Sequence, residues 1–208
     1  MDLLEEYLYS KAFFHELRAK DPWAMSLTER AARMIDLNKT CFNALYRVNK
    51  SGKFNSPFGK YKSPNYCDRQ NLRAVSVALQ GVGVARRSFE GALDQAKPGD
   101  LVYLDPPYDP LSATASFAGY QSAGFSKADQ ERLRDTCLEL TERQVHVMLS
   151  NSATEYVEAL YSAEAFTIFQ VRAGRAISSK PATRGSLMEL LVVNDPVERV
   201  AQLGLFDG

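Results

Sequence analysis

Apolar and polar positions change rhythm twice along the chain. Residues 3–20 have helical composition, and Ser26-Leu27-Thr28-Glu29 spells a capping box that opens a second predicted helix. Ala32, Ile35, Cys41 and Phe42 are the candidates for its buried face. Between Asn49 and Pro64 glycine, proline, serine and asparagine displace the helical period, which predicts a loop or short hairpin. Helix resumes over 68–79. From Val82 onward the text alternates: strand 82–86, helix 88–95, strand 101–104, a long loop 105–125, helix 127–142, strand 145–149, helix 154–160, then strands near 166–172 and 187–193. Strands alternating with helices predict a largely parallel sheet, and two late strands without a helix between them predict an antiparallel edge. The predicted division is a helical and loop region over 1–80, an α/β body over 81–195 and a flexible tail over 196–208.

Composition narrows the class without naming it. The chain has 208 residues, 45% hydrophobic and 24% charged, with no net charge, enough for one domain with a sizeable core and a small appended lobe. No apolar run approaches the roughly 18 residues of a membrane span, and the acidic opening Met1-Asp2-Leu3-Leu4-Glu5-Glu6 is unlike a secretory signal. The expectation is a cytoplasmic protein with no membrane partner. Cys41, Cys67 and Cys137 show no CxxC spacing, and His15 and His146 lie far apart, so neither a disulfide framework nor a metal site is predicted.

Charge placement changes the picture more than total charge. No acid occurs from Phe42 to Tyr66, where Arg47, Lys50, Lys53, Lys60 and Lys62 alternate with Phe42, Tyr46, Phe54, Phe58, Tyr61 and Tyr66. A second acid-free stretch, Val171 to Met188, holds Arg172, Arg175, Lys180 and Arg184. Basic side chains neutralise phosphates and aromatic faces stack on bases or wedge between them, so these stretches suit a protein that touches DNA with one face. The same composition also describes a solvated basic loop with structural aromatics.

The sharpest chemistry lies in LVYLDPPYDP, residues 101–110. Pro106 and Pro107 lack backbone N–H groups and fix their own φ, so the apolar strand must end in a stiff turn with Asp105 and Tyr108 at its carboxyl end. A carboxylate beside a carbonyl is a pair of hydrogen-bond acceptors able to hold an exocyclic amine with its lone pair aimed outward, and Tyr108 can stack on the ring that carries it.

Several stretches in order resemble one family: AARMIDLNKTCFNALYRVNKSGKFNSPFGKYK, LVYLDPPYDPLSATASFAGYQSAGFS, VMLSNSAT and RAISSKPATRGSLMELLVV. Together they resemble the Dam-type adenine-specific DNA methyltransferases, which transfer a methyl group from S-adenosyl-L-methionine to adenine N6 in double-stranded DNA. The resemblance implies a Rossmann-like methyltransferase sheet whose fourth strand ends at Asp105. It also implies that Asp105, Pro106, Pro107 and Tyr108 form the catalytic turn, that Asp105 and Pro106 accept the amine hydrogens of a flipped adenine, and that Asp105 and Ser150 lie beside the cofactor. Asn43, Leu45, Arg47, Pro57, Lys60 and Tyr61 fall at target-recognition positions, with GATC as the expected site. Arg47 suits guanine O6 and N7, whereas Lys60, standing where arginine is common in the family, suits phosphate. Ser150-Asn151 and the segment holding Arg175 and Ser178 resemble later motifs near the cofactor and the flipped base.

Two features depart from the family pattern. No Phe-x-Gly-x-Gly turn after a first strand and no acid after a second are found in residues 1–100, and Gly81-Val82-Gly83 precedes a strand rather than following one. In the family order 3-2-1-4-5-7-6 the missing strands would lie between the Val82 and Leu101 strands, leaving apolar strand edges open. The fold expected is therefore an incomplete Rossmann-like sheet with a small helical target-recognition region. A second chain supplying two strands of a split enzyme, a truncated reading frame and a catalytically silent DNA-binding remnant all follow as alternatives. The terminal Gln202-Leu203-Gly204-Leu205-Phe206 resembles a sliding-clamp-binding peptide.

Overall fold

The computed structural model describes residues 1–49, 51–111, 125–162, 164–174 and 186–195. The chain divides into two compact units, Met1–Ala85 and the residues from Arg86 onward.

The first unit is helical. Helix α1 (Asp2–Glu6) and helix α2 (Lys11–Ala19) replace the single predicted helix over 3–20. The break follows from Tyr7, which adopts an extended conformation, and from Ser10, whose side chain caps α2 by accepting the Phe13 N–H. Helix α3 (Leu27–Thr40) starts on the predicted capping box, with Ser26 and Glu29 each accepting the other's backbone N–H. Phe14, Leu17, Leu37, Cys41 and Phe54 form the core, with Tyr46 and Phe58 packed against it.

Phe42 departs from expectation. The helix stops at Cys41, which is extended, and Asn43 and Ala44 both take positive φ, so Phe42 swings out and is 55% exposed. The predicted hairpin is present in short form: Val48 pairs with Phe54, and the Asn49 side chain accepts the Ser51 and Lys53 N–H groups around Gly52 at φ +73°. Helix α4 (Arg69–Ala78) follows, capped by Asp68.

The predicted strand over 82–86 does not form. Val82 and Val84 are 54% and 81% exposed, and no strand of the described residues pairs with them. A lone extended segment satisfies none of its ladder groups, so its apolar alternation has nothing to act on.

The second unit carries a four-stranded sheet ordered β1-β2-β4-β3. Strand β1 (Leu101–Leu104) runs parallel to β2 (His146–Ser152), while β4 (Ser186–Val193) is antiparallel to both β2 and β3 (Thr167–Gly174). The antiparallel edge is as the sequence predicts. Short helix α5 (Ala92–Gln95) precedes β1, α6 (Lys127–Glu142) joins β1 to β2, and α7 (Glu155–Leu160) follows β2. Leu133, Cys137 and Leu140 of α6 pack on Val147 and Leu149 of β2 and on Leu190 and Val192 of β4. No helix among the described residues is long and apolar enough to cross a membrane.

Candidate functional site

Parallel pairing sets the geometry at the end of β1. Leu104 lies opposite Leu149, so the next residues, Asp105 and Ser150, emerge side by side. The Ser150 hydroxyl donates to Asp105 Oδ1 at 3.0 Å, and the Tyr103 hydroxyl lies 3.0 Å from the same Ser150 oxygen. Asp105 is exposed beyond the strand end, where the prolines stop the ladder. Tyr108 follows with its hydroxyl 3.4 Å from Glu189 Oε2 of β4. Burial raises the Tyr108 pKa, opposed by its contact with Ser150 and reinforced by negative charge on Glu189 and Asp105, so the ring stays a neutral phenol. The structure thus brings Asp105, Ser150 and Tyr108 into one cluster.

Gln130 carries little signal in the sequence, yet its side chain donates to the Pro107 carbonyl at 3.2 Å. What marks it in retrospect is a polar residue on the apolar face of α6, one turn before Leu133.

In the first unit, Arg47, Pro57 and Lys60 line one cleft of about 480 Å³ together with Lys11, His15, Arg18 and Asn55. Lys11, His15 and Arg18 are spaced i, i+4 and i+7 on α2, a basic stripe that the patterning of the helix shows once its boundaries are known. Arg47 Nε donates to the Asn55 side chain at 2.9 Å while the Asn55 N–H donates to the Arg47 carbonyl at 2.8 Å, so the hairpin fixes the base of the Arg47 fork. The Pro57 carbonyl accepts the Phe42 N–H at 2.9 Å. Gly59 has no room for a side chain, since a Cβ there would lie 2.8 Å from the Thr40 carbonyl and 2.9 Å from that of Cys41. Tyr61 donates its hydroxyl to the Cys41 carbonyl at 2.9 Å. Leu45 is partly exposed, and Asn43 sits at φ 56°.

The aromatics of the basic stretch divide. Tyr46, Phe54 and Phe58 belong to the core, and the Tyr66 hydroxyl is bound to the Tyr7 carbonyl, leaving Phe42 and Tyr61 as the outward rings among them. Arg175, Ser178 and the tail 202–206 lie outside the described residues.

A mixed sheet with helices between its strands and an Asp-Pro-Pro-Tyr turn at the carboxyl end of β1 defines the Rossmann-like methyltransferase class. Within that class, the chain belongs to the D12 class N6 adenine-specific DNA methyltransferase family, whose model matches residues 1–177. It is 40% identical to a Type II methyltransferase of Lactococcus lactis subsp. cremoris over 191 residues, covering 89% of this chain and 66% of that protein. A Type II methyltransferase of Methanocaldococcus jannaschii is 40% identical over 189 residues, 88% of this chain and 65% of its own length. The DNA adenine methylase of Escherichia coli is 34% identical over 179 residues, 86% and 62% respectively. The chain therefore spans just under two thirds of the length of these curated relatives.

Proposed function

We propose that the protein methylates adenine N6 at a specific site in duplex DNA, with S-adenosyl-L-methionine as donor. The observation that carries this reading is the exposed Asp105 at the end of β1, oriented by Ser150 and followed two residues on by Pro107 and then Tyr108. The Asp105 carboxylate and the Pro106 carbonyl accept the two amine hydrogens, which leaves the N6 lone pair facing away from these two acceptors and free to attack the donor methyl. Tyr108 stacks on the flipped base. The donor, when bound, supplies an electrophilic methyl on a sulfonium centre, and Asp105 and Ser150 are the described residues that would hold it. They form one wall of such a site and fit the amine end of the reaction.

Arg47 suits guanine, and the family resemblance makes GATC the first sequence to try, whereas Lys60 meets phosphate and carries no sequence information. The test is transfer of labelled methyl groups to unmethylated duplex DNA by the full chain and by Asp105→Ala. Transfer lost in the variant supports the reading, and transfer that survives in Asp105→Ala refutes the role given to the turn.

One observation favours a second reading for how the site is completed. The outer edge of β1 is unpaired among the described residues, and Leu101 and Tyr103 are 62% and 57% exposed. The open edge suits further strands, and the bare face of Leu101 and Tyr103 suits a layer packed over it, both contributed by a separate polypeptide in a split enzyme. Rescue of transfer by an added strand-bearing fragment supports that reading, and full activity of the chain alone refutes it. A silent DNA-binding remnant is not favoured, because the Asp-Pro-Pro-Tyr turn is kept at the strand end with Asp105 bound by Ser150.

A further inference from the structure

Two buried amides hold the turn by its far side. Gln130 and Asn151 are 1% and 0% exposed. Asn151 Oδ1 accepts the Asp109 N–H at 3.0 Å and the Ser152 N–H at 2.8 Å. With its oxygen so committed, the Asn151 nitrogen must face Gln130, and it donates to Gln130 Oε1 at 3.1 Å. That contact in turn commits the Gln130 nitrogen to the Pro107 carbonyl at 3.2 Å. A second strut comes from Thr154, whose hydroxyl donates to Asp109 Oδ2 at 2.9 Å.

We propose that Gln130 and Asn151 are positioning residues for methyl transfer, which fix the Asp105–Tyr108 turn by holding the Pro107 carbonyl and the Asp109 N–H on either side of Tyr108. The inference rests on the function proposed above and adds to it the selection of one carbonyl from two. Pro107 gives its oxygen to Gln130, whereas the Pro106 oxygen accepts no hydrogen bond among the described residues and is left for the amine. The direction of every bond in the relay is set by backbone N–H groups, which cannot reverse. Flipping either amide would set oxygen against oxygen between two buried side chains or at the Pro107 carbonyl, so the relay has a single sense.

Gln130→Glu tests this with little change of shape. The introduced carboxyl group, when ionised, still accepts from Asn151 but cannot donate to Pro107, while its protonated form can do both. Hydrogen–deuterium exchange on the full chain without cofactor or DNA gives a readout independent of catalysis. At pH 8 the Asp109 amide is expected to exchange about tenfold faster in the variant, with exchange in β2 unchanged, and the difference is expected to shrink once the intrinsic effect of pH is removed and pH is lowered to 6. In methyl transfer, kcat is expected to fall about tenfold at pH 8 with KM for DNA held within about twofold, and to recover toward pH 6 relative to wild type. Exchange at Asp109 equal to wild type overturns the proposal, as does acceleration spread evenly over the sheet. A wild-type chain that transfers no methyl group even with a strand-bearing fragment added, while Gln130→Glu still loosens Asp109 locally, refutes the function and leaves the clamp standing.

Discussion

The Tyr9 hydroxyl accepts the Tyr61 backbone N–H at 2.8 Å and donates to the Gly59 carbonyl at 2.8 Å, so one phenol spans Lys60 from a position 52 residues upstream of Tyr61. The backbone on both sides of Lys60 is thereby tied to the segment between α1 and α2. Tyr9→Phe is expected to lower stability by about 1–2 kcal/mol and to weaken duplex binding, as read by fluorescence anisotropy. If Tyr9 acts through Lys60, the double variant Tyr9→Phe, Lys60→Ala binds no worse than Lys60→Ala alone. Additive losses would place the action of Tyr9 elsewhere.

What could be read in the sequence was local and strongly patterned. The helix over 127–142, the capping box at Ser26 and Glu29, the strand that ends at Asp105 and the antiparallel late strands all follow from period, caps and prolines. Features that depend on distant partners were not legible. Val82 and Val84 alternate as a strand should, but strand formation needs a neighbour. Phe42 reads as the next apolar position of a helix that the backbone at Asn43 and Ala44 has already left. At the site, Asp105 and Tyr108 were legible because prolines confine them. Gln130 was not, because a lone glutamine in a helix says nothing until the carbonyl it meets is known.

Arg47 and Lys60 share one cleft but are expected to respond differently to salt and sequence. Lys60→Ala should weaken binding to all duplexes alike and reduce the slope of log affinity against log salt by about 0.9, the share of one phosphate. Arg47→Ala should cost about 1–3 kcal/mol on the preferred site and much less on scrambled DNA. Titrations of both variants at several salt concentrations check this, and a loss for Arg47→Ala that is equal on both duplexes would reassign it to the backbone.

Asp36 gives the first unit a dependence on pH. It is buried on α3, and burial pushes its carboxyl up to about 6 from an ordinary 3.8, with Thr40 opposing the shift. Between those values the folded chain holds a proton that the unfolded chain has lost, so stability falls as pH rises through the window and the full penalty is present above it. Asp36→Asn mimics the protonated form. It is expected to be more stable than wild type by about 2 kcal/mol at pH 8 and to lose that advantage toward pH 4. Urea unfolding across this range decides the matter, and an advantage that does not vary with pH would show that Asp36 keeps its proton balance on folding.

Tyr161 presents the opposite case, a polar atom whose removal should help. The residue is buried in the second unit, its ring meets Phe166 edge-on at 5.4 Å, and its hydroxyl has no hydrogen-bond partner among the described residues. Burial raises its pKa, so the group stays neutral and still has to give up its water on folding. Cys137 packs in the same cluster, but its own thiol, which burial pushes up to about 12, is a poor partner in either role. Tyr161→Phe keeps the ring in place and deletes only the unsatisfied oxygen, so the midpoint of thermal unfolding is expected to rise, corresponding to about 1 kcal/mol. Loss of more than about 1 kcal/mol would mean that the hydroxyl holds a partner worth more than its desolvation. Because Cys137 lies against it, the same variant should leave that thiol unreactive to alkylating reagents in the folded protein, which separates a relieved polar group from a loosened core.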